Sequence, residues 1–500
     1  MDFTLFHNLG VGFGVAMSVQ NLIYCFFGAF LGTLIGVLPG IGPIATIAML
    51  LPVTFSLSPV SALIMLTGIY YGAQYGGSTT AILVNLPGEG SSVITCLDGY
   101  QMARQGRAGP ALAIAAIASF IAGCIATVSI ALFAPPLAEI AQKFGPAEYF
   151  SLMVLGLVGA TVLAQGSLIK AISMTILGLL LGLVGVDVNS SIARFSFGLS
   201  ELADGINFIV VAMGLFGFAE IIINLEQGES REVFTSRMTG LLPTLKDLKD
   251  SAGAILRGTA IGSMVGILPG GGAMLATFGA YTVEKKIGDT SRFGKGEIRG
   301  VAAAESANNA GAQTSFIPLL TMGIPSNPVT ALMIGALLIQ GITPGPQLIT
   351  ERPELFWGVI TSMWIGNLML VILNLPLIGI WVKLLTVPYR LLYPSIIFFC
   401  CVGVYSLSNQ PFDVAITALF GFLGYVFVKL ECEPAPLILG FILGPLMEEN
   451  LRRAMQLASG DVTVFLTKPI SGVLLGIAVV LLIVTLLPAV KKTRMVAFKE

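Results

Sequence analysis

The stretch GTLIGVLPGIG (residues 32–42) returns 230 positions later as GSMVGILPGGG (residues 262–272). Six of the eleven positions are identical, and each copy places a Pro-Gly pair inside a long apolar run. Proline lacks a backbone donor and clashes with the preceding turn, so a helix does not continue cleanly through it. Backbone groups freed at membrane depth are tolerated only where protein buries them or where they line a water-filled cavity. Two such breaks at matching places in two halves of a chain indicate the binding site of a secondary transporter.

The composition is that of an integral membrane protein. The 500 residues are 55% hydrophobic and 11% charged, with a mean hydropathy of +0.90, whereas soluble domains carry roughly 25% charged residues. The length leaves room for about 10–12 transmembrane segments of roughly 20 residues each. The net charge is −1 and no basic block is present, so we expect the lipid bilayer as a partner and no nucleic acid.

A polar segment divides the chain into two halves with the same order of features: a Pro-Gly break, a second polar break and then plain apolar helices. We therefore predict a first membrane repeat over residues 1–225, a cytoplasmic linker over 226–252, a second membrane repeat over 253–490 and a cytoplasmic tail over 491–500. The predicted fold is an all-α polytopic membrane protein in which each repeat contains a re-entrant hairpin and a broken helix.

The distribution of basic residues predicts that the two repeats have inverted topology, because Lys and Arg accumulate in cytoplasmic loops. Three bases lie between residues 246 and 257 and five between 285 and 299, on both sides of the second Pro-Gly break. The flanks of the first break, 1–21 and 51–61, contain none. With arms of about 11 to 14 residues, too short for full spans, the second hairpin would dip from the cytoplasm and the first from the periplasm. The basic tail places the C-terminus in the cytoplasm.

A second polar interruption follows each Pro-Gly break. It reads YGAQYGGSTT (71–80) and NLPGEGSS (85–92) in the first half, and ESANNAGAQTS (305–315) and GIPSNP (323–328) in the second. Both halves contain Gly-Ala-Gln and a later proline. This density of hydroxyls, amides and glycines favours unwound segments with exposed carbonyls and half-helix N-termini. Such N-termini hold carboxylates without a buried Lys or Arg, and backbone and hydroxyl oxygens suit Na⁺.

These breaks predict one shared site for a small anion and a coupling ion. Glu305, the acid within the second-half break, would bind a cation or carry a proton; the alternative is a charge at the membrane edge beside the basic loop. Glu89 is expected to be exposed at a turn, and isolated hydroxyls such as Ser119 are expected to join helices. The predicted substrate-binding residues are Pro39, Gly40, Gly42, Ser78, Thr79, Thr80, Asn85, Pro269, Gly270, Gly271, Asn308, Asn309, Thr314 and Ser315. The predicted coupling-ion residues are Gln74, Glu305 and Gln313.

The sequence contains no enzyme signature. The glycine-rich breaks lack the Lys and Ser/Thr of a phosphate loop, and no HExxH motif or nucleophile elbow is present. His7 is the single histidine. We expect no catalytic residue, no cofactor and no metal other than a transported Na⁺. The alternative function is an anion-selective, channel-like pore, because opposed re-entrant hairpins also build selectivity filters.

Four segments together resemble the large membrane (permease) subunit of the tripartite tricarboxylate transporters. They are GTLIGVLPGIGP (32–43), YYGAQYGGSTTAILVNLPGE (70–89), GILPGGGA (266–273) and ESANNAGAQTSFIPLLTMGIP (305–325). The resemblance implies a multi-pass permease of the bacterial inner membrane that imports citrate or a related di- or tricarboxylate by Na⁺ or H⁺ symport. It also implies two partners, a small four-helix membrane subunit and a periplasmic solute-binding protein. It does not determine which carboxylate is carried.

Overall fold

The computed structural model describes residues 3–38, 42–163, 167–187, 190–227, 240–268, 272–385 and 389–486, and these are almost entirely α-helical. The helices of the first half are α1 (Phe3–Ala16), α2 (Val19–Gly36), α3 (Pro43–Thr54), α4 (Pro59–Val84), α5 (Val93–Arg104), α6 (Ala108–Ala141), α7 (Pro146–Leu163), α8 (Leu168–Gly182), α9 (Phe208–Ala212) and α10 (Ala219–Gln227). Those of the second half are α11 (Leu245–Gly266), α12 (Gly272–Ile287), α13 (Ile298–Thr314), α14 (Phe316–Met322), α15 (Pro328–Ile339), α16 (Gln347–Glu351), α17 (Pro353–Asn374), α18 (Ile378–Leu384), α19 (Tyr389–Ser408), α20 (Pro411–Lys429), α21 (Ala435–Leu457), α22 (Val464–Thr467) and α23 (Pro469–Leu486).

Short elements connect some of these helices. The antiparallel pair β1 (Gly185–Val186) and β2 (Ala193–Arg194) lies between α8 and α9, with Gly185 opposite Arg194. A π-helical turn, Met213–Phe218, joins α9 to α10. The predicted tip residues of the first breaks, Pro39, Gly40, Pro269, Gly270 and Gly271, lie outside the described residues.

Local side chains determine where the helices begin and end. Ser58 caps the N-terminus of α4 by accepting a hydrogen bond from the backbone of the third residue that follows, and Thr244 and Asp247 form a capping box at α11. Asn85 (φ 58°) ends α4 and Gly323 (φ 71°) ends α14, both in the left-handed conformation that terminates helices. The interruptions at 85–92 and 323–328 are therefore helix ends. The prediction that 71–80 and 305–315 are unwound is wrong, because residues 71–80 lie within α4 and residues 305–314 within α13.

Among the described residues, five helical segments are long and apolar enough to cross a membrane, judged by length and composition: Val19–Gly36, Ala108–Ala141, Phe208–Glu226, Pro353–Asn374 and Pro411–Lys429. Other apolar helices, including α3, α8 and α15, are 12 to 15 residues long. The chain is thus an all-α polytopic membrane protein, as predicted.

The hairpin arms differ in length from the prediction. In the second hairpin α12 has 16 residues and α11 has 22, so the expectation of two arms of 11 to 14 residues is wrong. Helix α11 begins at Leu245, inside the segment predicted to be the linker, because the capping box at Thr244 starts the helix in polar sequence. At 1.5 Å per residue, α11 is about 33 Å long. The side from which each hairpin enters stays a prediction.

Two helices occupy the centre of the molecule, α4 and α13. Residues 61–83 of α4 are buried throughout, and so are residues 300–314 of α13. Helix α13 is nevertheless rich in polar side chains, which are costly to bury unless they are paired. A buried polar helix of this kind violates the usual rule for packing and indicates a functional site.

Glycine stripes bring each central helix close to its neighbour. On α2, Gly28, Gly32 and Gly36 recur every fourth residue against α4, and a Cβ added to Gly32 would lie 2.3 Å from the Ile69 carbonyl oxygen. On α11, a Cβ added to Gly262 would lie 2.5 Å from the Ala307 carbonyl oxygen of α13. Only glycine permits this backbone approach, which is a common mode of helix association in membranes.

Contacts between the two halves occur in matching pairs: where a helix of the first half packs on one of the second, the corresponding helix of the second half packs on the corresponding one of the first. This pattern supports the predicted repeat. Helix α4 packs on α17 and α13 packs on α6; likewise α3 contacts α15 and α12 contacts α5. Ile69 and Ala307, whose carbonyl oxygens face Gly32 and Gly262, are 238 positions apart, so the structure relates the two central helices by an offset of 238. The Gly-Ala-Gln motif of the sequence gives a different offset, 239, because it aligns Gln74 with Gln313. The two glutamines therefore do not occupy equivalent positions.

Candidate functional site

Glu305 of α13 is the centre of a polar cluster formed by both halves. Its side chain is buried, with 1% exposed. Ser78 Oγ of α4 donates a hydrogen bond of 2.6 Å to Oε2, Thr95 Oγ1 of α5 donates to Oε1, and Ser119 Oγ of α6 lies 3.5 Å from Oε2. Asn309 Nδ2, one turn further along α13, donates to Ser119 Oγ at 2.6 Å. Three hydroxyls of the first half thus surround one carboxylate of the second.

Of the two interpretations of Glu305, the charge at the membrane edge does not fit, because the carboxylate is buried and Arg299 of the basic loop pairs with Glu284 instead. Ser119 joins helices as expected, since its hydroxyl links α6 to α13, and it does so within this cluster. Thr95 was not recognised, since it lies on a helix outside the polar breaks and a single threonine carries no pattern.

A small cavity adjoins the carboxylate of Glu305. Its volume is about 10 Å³, room for one water-sized sphere. The polar residues that line it are Tyr75, Ser78, Thr79, Ser119, Glu305 and Asn374. The cavity is far smaller than the 300–1,000 Å³ or so that pockets for organic ligands occupy. It suits a water molecule or a dehydrated cation but not a di- or tricarboxylate.

A second acid, Glu89, faces the same stretch of α13. Asn308 Nδ2 donates to Glu89 Oε1 at 3.2 Å, and Ser91 Oγ donates to the same atom at 2.5 Å. Gln74 Nε2 of α4 donates to Asn308 Oδ1 at 3.2 Å. The expectation that Glu89 is exposed at a turn is wrong: the residue is only partly exposed and its carboxylate is bound by the other half of the chain.

An equivalent contact joins the halves in the opposite sense. Asn327 Nδ2 of the second half lies 3.4 Å from the hydroxyl of Tyr70 on α4. Glu89 and Asn327 are 238 positions apart, and so are Tyr70 and Asn308. The central helix of each half therefore contacts the second break of the other half. Sequence reasoning did not include Tyr70 or Asn327 because the Gly-Ala-Gln match shifts the alignment by one residue.

The two breaks of each half also meet. A Cβ added to Gly42, at the end of the first break, would lie 4.0 Å from Glu89 Cβ. In the second half, a Cβ added to Gly272 would lie 3.4 Å from Asn327 Cβ. Both glycines stand at the N-terminal end of a helix, α3 or α12. We call these places the first junction (Gly42 with Glu89) and the second junction (Gly272 with Asn327).

The predicted coupling residue Gln313 lies apart from Glu305. Thr127 Oγ1 of α6 donates to Gln313 Oε1 at 2.7 Å. A Cβ added to Gly123 would lie 2.7 Å from Gln313 Nε2 and 2.8 Å from Asn367 Oδ1, so this glycine makes room for both amides. Gln313 therefore belongs to a separate polar group between α6, α13 and α17.

Most of the remaining predicted residues bond to backbone carbonyls or end a helix rather than face the cluster. Thr80 Oγ1 donates to the Val37 carbonyl oxygen at 2.8 Å and so ties α4 to the end of α2. Asn85 is exposed, and its left-handed conformation accounts for its residue type. The hydroxyls of three others donate to carbonyls of their own helix: Thr79 to Tyr75, Thr314 to Ala310 and Ser315 to Ala312.

Several buried polar atoms near these clusters lack a hydrogen-bond partner within the described part of the chain. They are Gln74 Oε1, Tyr75 Oη, Asn309 Oδ1, Gln313 Nε2, Ser326 Oγ, Asn374 Oδ1 and both side-chain polar atoms of Asn367. An unpaired buried polar group costs about 1–3 kcal/mol. Their concentration around α4 and α13 makes this region the candidate site for polar ligands.

A multi-pass helical fold with a polar interior built from helix breaks of two halves defines a membrane transport protein. The model of the tripartite tricarboxylate transporter TctA family matches residues 22–439, and the chain belongs to this family as its large permease subunit.

Two relatives from Agrobacterium vitis bear only positional names. An uncharacterized 52.8 kDa protein in the TAR-I ttuC' 3' region is 57% identical over 497 residues, 99% of each chain. An uncharacterized protein in the TAR-II ttuC' 3' region is 60% identical over 240 residues, 48% of this chain and 99% of that protein. No solved structure matches.

Proposed function

We propose that this permease subunit imports a small di- or tricarboxylate, related to citrate, by symport with Na⁺ or H⁺. A periplasmic solute-binding protein would deliver the substrate, and a small membrane subunit would complete the transporter in the bacterial inner membrane. The observation that carries the proposal is Glu305, buried between the two halves with three hydroxyls around it and a water-sized cavity beside it.

Electrostatics favours a coupled cation. In the part of the chain that the structure describes, no Lys or Arg forms an ion pair with Glu89 or Glu305. Burying an unpaired carboxylate costs several kcal/mol, and an anionic substrate that enters the same region would add to the repulsion. A cation or proton that binds at Glu305 removes this penalty, so the substrate binds better after the cation does. That dependence is what symport requires.

The chemistry of the cluster is also that of a cation site. Carboxylate and hydroxyl oxygens are the ligands that hard cations prefer, and Glu305, Ser78, Thr95 and Ser119 supply them from four different helices. Because the oxygens come from both halves, relative movement of the halves would change the site. This geometry suits an ion whose binding is linked to alternating access.

Uptake against a concentration gradient tests transport against the channel alternative. Membrane vesicles that contain the permease with its small subunit, supplied with the binding protein, receive a labelled citrate, malate or succinate under an imposed Na⁺ or H⁺ gradient. Symport predicts accumulation inside the vesicles above the external concentration. A pore predicts only equilibration, and that result would contradict the proposal.

The substitution Glu305→Gln tests the coupling role. Glutamine keeps the shape and hydrogen bonding of the side chain but removes the charge that holds the cation. We expect gradient-driven accumulation to fall at least about tenfold, at an unchanged level of protein in the membrane. The control Glu139→Gln removes an exposed acid near the end of α6 and should transport normally. Normal accumulation by Glu305→Gln would remove Glu305 from the coupling site.

A further inference from the structure

The two junctions are built alike. At the first junction the backbone N–H of Glu89 donates to Ser92 Oγ at 3.2 Å, and at the second the backbone N–H of Asn327 donates to Thr330 Oγ1 at 3.0 Å. In both, the cap residue lies against a glycine at the start of another helix. Each junction thus brings the N-terminal ends of two helical segments together.

The junctions differ in charge, because Glu89 occupies the position that Asn327 occupies in the other half. Helix N-termini carry unsatisfied N–H groups and roughly half a positive charge, which favours an anion. At the first junction the protein places an anion of its own, the carboxylate of Glu89, which accepts from Ser91 Oγ and Asn308 Nδ2. At the second junction the side chain is a neutral amide, and the first turns of α12 and α15, helices of 16 and 12 residues, contain no acidic residue.

Donors without a full set of partners lie at the second junction. Ser326, directly before Asn327, is completely buried, and its Oγ has no hydrogen-bond partner among the described residues. The Oδ1 atom of Asn327 caps α15 by accepting from the Thr330 N–H at 2.9 Å, whereas its Nδ2 makes, within the described residues, only the long contact of 3.4 Å with the Tyr70 hydroxyl. A carboxylate there would accept from an N–H and an O–H donor, with no acid among the hydrogen-bond partners of Asn327 in the described residues.

We propose that a carboxylate group of the substrate binds at the second junction, to Asn327 and Ser326, and that the first junction, with Glu89, belongs to the coupling cation. This inference rests on the proposed function. It assigns the substrate carboxylate to the junction of the second half and the coupling cation to the junction of the first half.

The positions of the contacts on α4 place the two ligands next to each other. Tyr70 contacts Asn327 of the second junction, and Gln74, one turn further on, contacts Asn308, which binds Glu89 of the first. Glu305 lies one turn before Asn308 on α13. Both acids therefore lie on the cation side, where a bound cation would offset their repulsion of the substrate.

The test is Asn327→Asp, which changes the charge and almost nothing else. Aspartate has the shape of asparagine and caps helices equally well, so the protein should fold. The new carboxylate takes the place of the substrate, and the half-saturating concentration of the best-transported carboxylate among citrate, malate and succinate should rise at least about tenfold. The matched control is Asn207→Asp at the exposed cap of α9, which should leave uptake unchanged.

Glu89→Gln gives the reciprocal measurement. It should raise the half-saturating concentration of the coupling cation more than that of the carboxylate, the reverse of Asn327→Asp. Ser326→Ala, which leaves the cap intact, should weaken carboxylate binding about threefold or more. Wild-type carboxylate affinity in Asn327→Asp, or equal loss of carboxylate affinity in Glu89→Gln, would overturn the inference. If the wild-type protein itself accumulates no carboxylate, the proposed function fails instead.

Discussion

At the scale of single residues, the polar side chains of α13 are the most informative part of this protein. Glu305, Asn308 and Asn309 are each at most 1% exposed, yet each binds a side chain of the first half. Evolution of a stable core alone would favour apolar residues here, because a buried polar group contributes little even when it is paired. The proposed ligands, passing between the halves, would account for their presence.

The asparagines of α13 provide the residue-scale prediction. Asn308→Ala removes one of the two donors to Glu89 and the acceptor of Gln74, and Asn309→Ala removes the donor to Ser119. Both should therefore reduce carboxylate uptake about tenfold or more. Ser315→Ala should impair uptake less, because its hydroxyl bonds to its own helix. Uptake in vesicles, corrected for the amount of protein, is the measurement.

Thr161→Ala provides the control for these variants. Its hydroxyl donates to a carbonyl of its own helix α7, away from the site, and uptake should be unchanged. Undiminished uptake in Asn308→Ala and Asn309→Ala together would show that α13 does not line the transport path.

At the scale of elements, glycine spacing determines how the central helices pack. The stripes on α2 and α11 let the carbonyls of α4 and α13 approach to distances that no Cβ tolerates. This approach positions Gln74 and Ser78 on one side and Glu305 and Asn308 on the other. The stripes thus connect helix packing to the geometry of the site.

Gly32→Ala tests this packing. Although alanine is intrinsically the better helix former by about 0.5–1 kcal/mol, the added Cβ would meet the Ile69 carbonyl oxygen at 2.3 Å. We expect net destabilisation of about 1–3 kcal/mol, measured as a lower midpoint of thermal unfolding in detergent. Gly10→Ala on α1, where nothing lies within 4 Å, should be neutral or stabilising. Equal stability of the two variants would contradict the account.

At the scale of the whole molecule, the contacts exchange between halves as a two-fold repeat requires. The charge pattern adds the prediction that the repeats are inverted in the membrane. The two acids break the equivalence, since Glu89 has Asn327 as its counterpart. A nearly symmetric frame with unequal charges is suited to hold a cation and an anion side by side.

Surface labelling of single cysteines tests the inversion. Ser56→Cys, in the turn between α3 and α4, and Thr290→Cys, in the loop between α12 and α13, are both at exposed positions. We expect a membrane-impermeant thiol reagent to modify Ser56→Cys from the periplasm and Thr290→Cys only from the cytoplasm. The background is a variant without the native cysteines, Cys25, Cys96, Cys124, Cys400, Cys401 and Cys432. Modification of both from one side would contradict inverted topology.

The class of protein and the helix ends at 85–92 and 323–328 were predictable from the chain alone, because they depend on local properties. The division into two repeats stays a prediction. Apolar length, Pro-Gly pairs and helix caps act within a few residues. The length of α11 was predicted wrongly because only hydropathy was considered. The capping box at its N-terminus extends the helix into polar sequence that hydropathy assigns to a linker.

The site depended on information that local patterns do not contain. Ser78, Thr95 and Ser119 meet Glu305 from three helices more than 180 positions away, and no spacing rule relates them. Only the tertiary structure showed which residues of the two halves are equivalent. In it Glu89 and Asn327 occupy equivalent positions, whereas Gln74 and Gln313 do not. The reason is physical: backbone contacts at the glycine stripes fix how the helices are offset, and that offset decides which polar groups share the buried interior.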